Sequence, residues 1–214
     1  MTEENRNYDF VFCVDGTESM AICGENVKSF IHKFMEDFFE FTAKSGWETC
    51  SWRAKVILFR DYRHDKQNAF VESPFWEMPK ESNALDGFLS QSVFCGGGQS
   101  GKSNGVEALY LAMHSDFIAT EPGDRQIIVL LTNKDCYGFN ECETGMGIDE
   151  DGFLEAWYCC DRDGSKLRER NKRLVMVAPF GTEYESFMNK LNRSSFVNIE
   201  PKSDLSDIDT SLLF

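Results

Sequence analysis

From Tyr8 to Val14 the chain carries apolar side chains on both faces of an extended run, the pattern of a buried strand. After a turn over residues 16–19 the period changes. Val27, Phe30, Ile31, Phe34, Met35, Phe38 and Phe41 recur at three- and four-residue spacing, which predicts an amphipathic helix over Val27 to Thr42, ended by Ser45-Gly46. Lys55 to Phe59 reads as a second buried strand, with Ala69 to Glu72 before Pro74 as a short edge partner. Helical spacing returns over Ser82 to Val93 and, more strongly, over Val106 to Ala119. Gln126 to Thr132 and Leu174 to Ala178 are the most apolar strands. Glu183 to Leu191 then reads as a helix, Phe196 to Ile199 as a strand and Leu205 to Leu213 as a terminal helix.

Buried strands separated by helices predict a single α/β domain over residues 1–214: a doubly wound, mostly parallel central sheet with helices on both faces, Rossmann-like in plan. Ligands of such folds sit beyond the carboxyl ends of the strands. The loops of interest are therefore Asp15–Ser19, Arg60–Asp65, Gly96–Ser103 and Thr132–Asp135. Residues 135–172 form the irregular part. Tyr137, Phe139, Phe153, Trp157 and Tyr158 make this insertion too aromatic for a disordered linker. It is expected to fold over the ligand face and set partner choice, or else to cover a sheet edge, and to be removable without loss of the fold.

Charge narrows the function. Against 22 basic residues stand 36 acidic ones, a net charge of −14, which argues against nucleic acid and against an anionic membrane surface as partners. No apolar run approaches the roughly 20 residues of a membrane span. Residues 1–8 show neither a basic nor an apolar leader region, so a cytoplasmic location with reduced thiols is expected for the eight cysteines.

The sharpest chemical signal is Asp15-Gly16-Thr17-Glu18-Ser19-Met20, directly after a strand. Three oxygen-bearing side chains at alternate positions can converge on a hard cation such as Mg²⁺, or can cap the following helix. Strand-Asp-x-Thr-x-Ser-Met followed by a long helix resembles the metal-ion-dependent adhesion site of von Willebrand factor A domains. The runs Ile57–Arg63, Gly96-Gly97-Gly98 leading to Val106–Leu109, and Arg125–Thr132 are similar to a bacterial branch of stand-alone A domains, in the same order over about two-thirds of the chain. The resemblance implies a non-enzymatic module that binds a protein partner, with a divalent cation bridging to a carboxylate of that partner. It implies a ligand set of Asp15, Thr17 and Ser19, with Gln99 and Asn133 standing where that branch carries Asp. Asp61 and Asp135 are the nearby acids that could restore charge. Two amides in place of carboxylates imply weaker metal affinity, and a metal-free interaction scaffold remains an alternative.

A second motif shares the glycine loop. Residues 96–103 match G-x-x-x-x-G-K-[ST], in which Lys102 and Ser103 would serve a nucleotide phosphate and its Mg²⁺. The residues before it make a poor strand, and the strand after it ends in Asn133 rather than Asp. Cys136, Cys142, Cys159 and Cys160 lack the spacing of a zinc site and read as thiols. Asp149-Glu150-Asp151-Gly152 lacks the ordered ligands of a calcium loop. The three histidines, His32, His64 and His114, are scattered.

Overall fold

The computed structural model describes residues 5–91, 94–141, 146–158, 166–201 and 203–213. Strand β1 (Asn5–Asp15) leads through a 3-10 turn (Glu18–Cys23) into helix α1 (Gly24–Lys44) and strand β2 (Glu48–Phe59). A one-turn helix α2 (Tyr62–Asp65) precedes the short strands β3 (Phe70–Glu72) and β4 (Trp76–Glu77), both antiparallel to β2. Helix α3 (Ser82–Gln91), strand β5 (Lys102–Ser103), helix α4 (Gly105–Met113) and strand β6 (Arg125–Leu131) follow. The last third contains β7 (Asp135–Cys136), α5 (Glu150–Tyr158), β8 (Lys172–Pro179), α6 (Glu183–Met188) and β9 (Ser194–Ile199).

The seven-stranded sheet has the order β3-β2-β1-β6-β8-β9, with β4 also on β2, and all pairs from β2 to β9 are parallel. This is the doubly wound α/β arrangement expected from the sequence. Because side chains alternate across a strand, β1 feeds two cores. Phe10, Phe12 and Val14 pack under α1, while Val11 and Cys13 pack under α4, α5 and α6. On the first face Phe10 meets Phe38 edge-on at 5.2 Å, and Phe34 covers both Phe10 and Phe12. The chain departs from β1 towards β2 on one side and β6 on the other, so the carboxyl ends of β1 and β6 flank the point where the strand order reverses.

Three expected elements change, each for a local reason. Helix α4 stops at Met113 rather than Ala119. The buried Asp9 carboxylate, held by Arg53 at 2.8 and 3.0 Å, accepts the amides of Ile118 and Ala119 and keeps that segment extended. The terminal helix over Leu205–Leu213 is reduced to one 3-10 turn, Thr210–Leu212. Asp204 accepts from the amide and hydroxyl of Ser206, and Asp209 does the same for Ser211, so side chains take donors that a helix needs. The helix expected over Ser82–Val93 is described to Gln91, and Val93, Cys142, Cys159 and Cys160 lie outside the described residues.

The insertion also differs from its expected dispensability. Phe153, Trp157 and Leu167 are fully buried in the second core. Phe153 meets Phe139 at a tilt and Phe187 edge-on, and the Trp157 indole donates to Asn192 Oδ1 at 2.9 Å. The buried Lys172 ammonium donates to Trp157 O and pairs with Glu169. Removing such a segment uncovers α4 and α6. Trp157→Ala is expected to lower stability by about 3–5 kcal/mol in urea denaturation; an unchanged midpoint would mean that α5 is a detachable cover.

Candidate functional site

The site forms where β1 ends. Gly16 N–H continues the ladder to Phe59 O at 2.7 Å, so Asp15 is held rigidly at the lip of the sheet. Its carboxylate is fully buried and accepts three hydrogen bonds: Thr17 N–H on Oδ1 at 2.9 Å, and Thr132 Oγ1 and Ser103 Oγ on Oδ2 at 2.7 and 3.2 Å. One side chain thereby fastens the turn after β1, the end of β5 and the loop after β6. Thr17 and Ser19 emerge from the turn on the same side, their hydroxyl oxygens 3.0 Å apart. Ser19 Oγ donates to Asn133 Oδ1 at 2.8 Å, and Asn133 Nδ2 returns a bond to Ser19 O at 2.9 Å.

The glycine loop packs against this group. Gly97 has φ +80, and a Cβ there would lie 2.5 Å from Thr17 Cγ2, so only glycine lets the loop approach so closely. Glu18 N–H reaches Gly96 O at 3.4 Å and Cys95 N–H reaches Gly16 O at 3.0 Å. Asp65 Oδ2 holds Gly97 N–H at 2.9 Å. The Lys134 ammonium also reaches the loop, 3.5 Å from Gly97 O, which brings a positive charge beside Thr17.

Asp61 is buried in the adjoining loop layer. Its Oδ1 caps α2 through Arg63 N–H, and its Oδ2 accepts Ser100 Oγ and Tyr137 OH, each at 2.9 Å. Burial pushes the Tyr137 phenol up from its ordinary value, which keeps it a donor. Asp135 Oδ1 accepts Cys136 N–H and Glu183 N–H, both at 2.8 Å, and so serves the start of α6. Gln99 is exposed on the glycine loop. Neither Asp61 nor Asp135 hydrogen-bonds to Asp15 among the described residues. Thr17, Ser19, Asn133 and Asp15 are thus one cluster, while Asp61 and Asp135 are committed to other partners.

The nucleotide-loop residues are engaged elsewhere. Lys102 pairs with Glu141 at 2.7 Å, and that bond raises the Lys102 pKa and lowers the Glu141 pKa. Ser103 is turned to Asp15, and the described element before the loop is helix α3. Sequence reading did not anticipate the Asp15 contacts of Ser103 and Thr132, or the position of Lys134. Two-residue strands pairing Lys102 with Asp135 and Ser103 with Cys136 create those contacts, and pairs so short leave no periodic trace.

As a donor set, Thr17 Oγ1, Ser19 Oγ, Asn133 Oδ1 and Asp15 are all hard oxygens, suited to Mg²⁺ and not to a soft metal. A spacing of 3.0 Å between the two hydroxyls matches neighbouring ligands on an octahedral ion with bonds of about 2.1 Å. Among the described residues no group of three His, Cys, Asp or Glu side chains could hold a metal. Beside the cluster, Ile22 and Phe180, both about two-thirds exposed, flank an open groove with Ser19, Asn133, Lys134 and Thr182.

No family model matches the chain, and no curated protein matches its sequence. Solved structures share its fold. Two crystal structures of the pilus adhesin SpaC from Lactobacillus rhamnosus GG align with TM-scores of 0.53 and 0.54 at 13% and 12% identity, over 91% and 94% of this chain. Proximal thread matrix protein 1 of the mussel byssus aligns over 99% of this chain with a TM-score of 0.51 and 11% identity. The chain spans 28% and 29% of the length of the adhesin and 48% of that of the matrix protein. Among the described residues no helix is long and apolar enough to cross a membrane.

Replacing Thr132 by Val keeps its shape but removes a donor from a buried carboxylate. The expected cost is about 1.5–3 kcal/mol by chemical denaturation, a loss that an unimportant contact would not produce. Gly97→Ala is expected to cost about 1–3 kcal/mol and to shift the Thr17 amide resonance, because both φ and Cβ are disfavoured there. An undisturbed Thr17 signal would contradict the close approach.

Proposed function

We propose that the chain is a von Willebrand factor A-like domain that recognises protein partners, and does no catalysis, through the crevice around Asp15. The observation that carries this reading is the meeting of Asp15, Thr17, Ser19 and Asn133 at the point where the strand order reverses. Thr17, Ser19 and Asn133 would hold a divalent cation through side-chain oxygens, with Asp15 supplying the negative charge. The ion's chemical contribution is an open coordination position for a carboxylate of the partner. The exposed Ile22 and Phe180 supply apolar contact at the rim of that polar centre, the usual division of labour in an interface patch. The likeness in fold to a pilus adhesin supports a recognition role without specifying a partner, since this chain spans less than a third of that protein.

A second reading, recognition without metal, is favoured by Lys134. Its ammonium beside Gly97 O already places a positive charge at the crevice and could meet a carboxylate directly.

Calorimetric titration with Mn²⁺ separates the two. Under the first reading Mn²⁺ binds weakly, Asp15→Ala abolishes the heat, and Asn133→Asp tightens binding by about tenfold, roughly 1.4 kcal/mol. Because Asn133→Asp also loses the amide donation to Ser19 O, the gain is in metal affinity and not in stability. In affinity capture, chelator removes the partner under the first reading. Under the second, chelator has no effect and Lys134→Gln removes it. Absence of Mn²⁺ heat from both wild type and Asn133→Asp rejects the cation bridge.

A further inference from the structure

A different feature lies at the opposite end of the sheet, where β6, β8 and β9 begin. A cavity of about 440 Å³ opens between these strand starts and the end of α1. Phe34, Phe38, Phe41 and Trp47 form one wall, with Ile127 and Val175 behind. The single 3-10 turn Thr210–Leu212 stands where the sequence pattern predicts a longer helix. Leu213 lines the cavity, and Phe41, at the apolar edge of α1, is 40% exposed.

Three guanidinium groups, those of Arg125, Arg173 and Arg193, line the same cavity. Arg125 Nη1 donates only to the backbone, to Gly123 O and Asp124 O at 2.9 and 2.8 Å, and Arg173 Nη1 donates to Lys172 O at 2.7 Å. Among the described residues neither has a carboxylate within 4.0 Å. The acids nearby are committed. Asp124 takes the amides of Asn7 and Glu121, and Glu169 pairs with Lys172 and receives Asn192 Nδ2 while lying 3.6 Å from Arg193 Nε. Burial pushes both guanidiniums, of Arg125 and Arg173, below their ordinary pKa; after it, the charges of Arg6 and Arg193 lower Arg125 against the opposing Tyr8 and Asp124, and the charges of Arg125 and Arg193 lower Arg173. In a chain with a net charge of −14, three arginines line one apolar cavity, and among the described residues only Arg193 of the three has a carboxylate within 4.0 Å.

We propose that this cavity binds a small organic anion with an apolar tail, an acyl or aryl carboxylate, whose head group is held by Arg125 and Arg173 and whose tail lies against Phe41 and Trp47. The volume is within the range of roughly 300–1,000 Å³ typical of small-molecule pockets. A planar guanidinium fork matches a carboxylate through two parallel hydrogen bonds, and an aromatic-lined interior rewards burial of the tail. An uncharged or cationic ligand of the same length would satisfy the interior and leave the arginines repelling each other. The site is independent of the Asp15 crevice.

Titration calorimetry with decanoate, decanol, decyl phosphate and decyltrimethylammonium tests the assignment. The expected result is saturable one-to-one binding of decanoate, with decanol and the ammonium compound at least tenfold weaker and decyl phosphate no tighter than decanoate. The double substitution Arg125→Gln and Arg173→Gln is expected to weaken decanoate by at least tenfold while leaving the circular dichroism unchanged. Ser195→Trp, which obstructs the cavity from the strand β9 side without touching an arginine, is expected to abolish binding as a check that does not depend on the charge variants folding. Decanol binding as tightly as decanoate, unchanged affinity in the double variant or in Ser195→Trp, or no heat from any probe at millimolar concentration would overturn the proposal. Decyl phosphate binding tenfold tighter than decanoate would assign the head-group preference to phosphate and overturn the carboxylate choice. Concentration-dependent dimerisation abolished by Ser195→Trp would overturn it in favour of a second copy of the chain.

Discussion

A single buried carboxylate organises the ligand end of this protein. Asp15 has no ion-pair partner in the fold among the described residues. It is held instead by the Thr17 amide and by the hydroxyls of Ser103 and Thr132, three donors from three separate segments: the turn after β1, strand β5 and the loop after β6. An ionised carboxylate taken out of water is costly unless its lone pairs are filled, so the positions of these segments are coupled to the stability of the charge. That coupling presents the Thr17 and Ser19 hydroxyls side by side and puts Asn133 within reach of Ser19. It also leaves no slack for a side chain at Gly97, whose loop closes over Thr17.

Much of this architecture is legible in the chain. Helix α1 follows from the spacing of Val27 to Phe38, and the buried strands β1, β6 and β8 follow from their unbroken apolar runs. The end of the sheet that bears the site follows from the doubly wound order, since Asp15 and Thr132 come directly after adjacent parallel strands. Other features were not legible because they depend on distant partners. Asp9 shortens α4 from across the sheet by capturing the amides of Ile118 and Ala119. The terminal segment, apolar enough for a helix, is diverted by Asp204 and Asp209 binding their own backbone. Asp135, two residues after Asn133 in sequence and an obvious candidate ligand, is drawn away to Glu183 N–H because β7 turns it towards α6.

The two ends of the sheet pose opposite electrostatic problems. At the carboxyl end, one acid is surrounded by neutral hydroxyls and amides, with Lys134 close by, so any bound cation would be incompletely neutralised and strongly electrophilic. At the amino end, Arg125, Arg173 and Arg193 line an apolar cavity, and among the described residues only Arg193 of the three has a carboxylate within 4.0 Å.

The account turns on whether Thr17 and Ser19 present their oxygens to an ion. The most direct measurement is anomalous diffraction at the manganese edge from crystals grown with Mn²⁺. The account predicts one anomalous peak within bonding distance, about 2.2 Å, of both Thr17 Oγ1 and Ser19 Oγ. An ordered, peak-free site, with the Thr17–Ser19–Asn133 hydrogen bonds intact and Lys134 alone supplying positive charge, would contradict it.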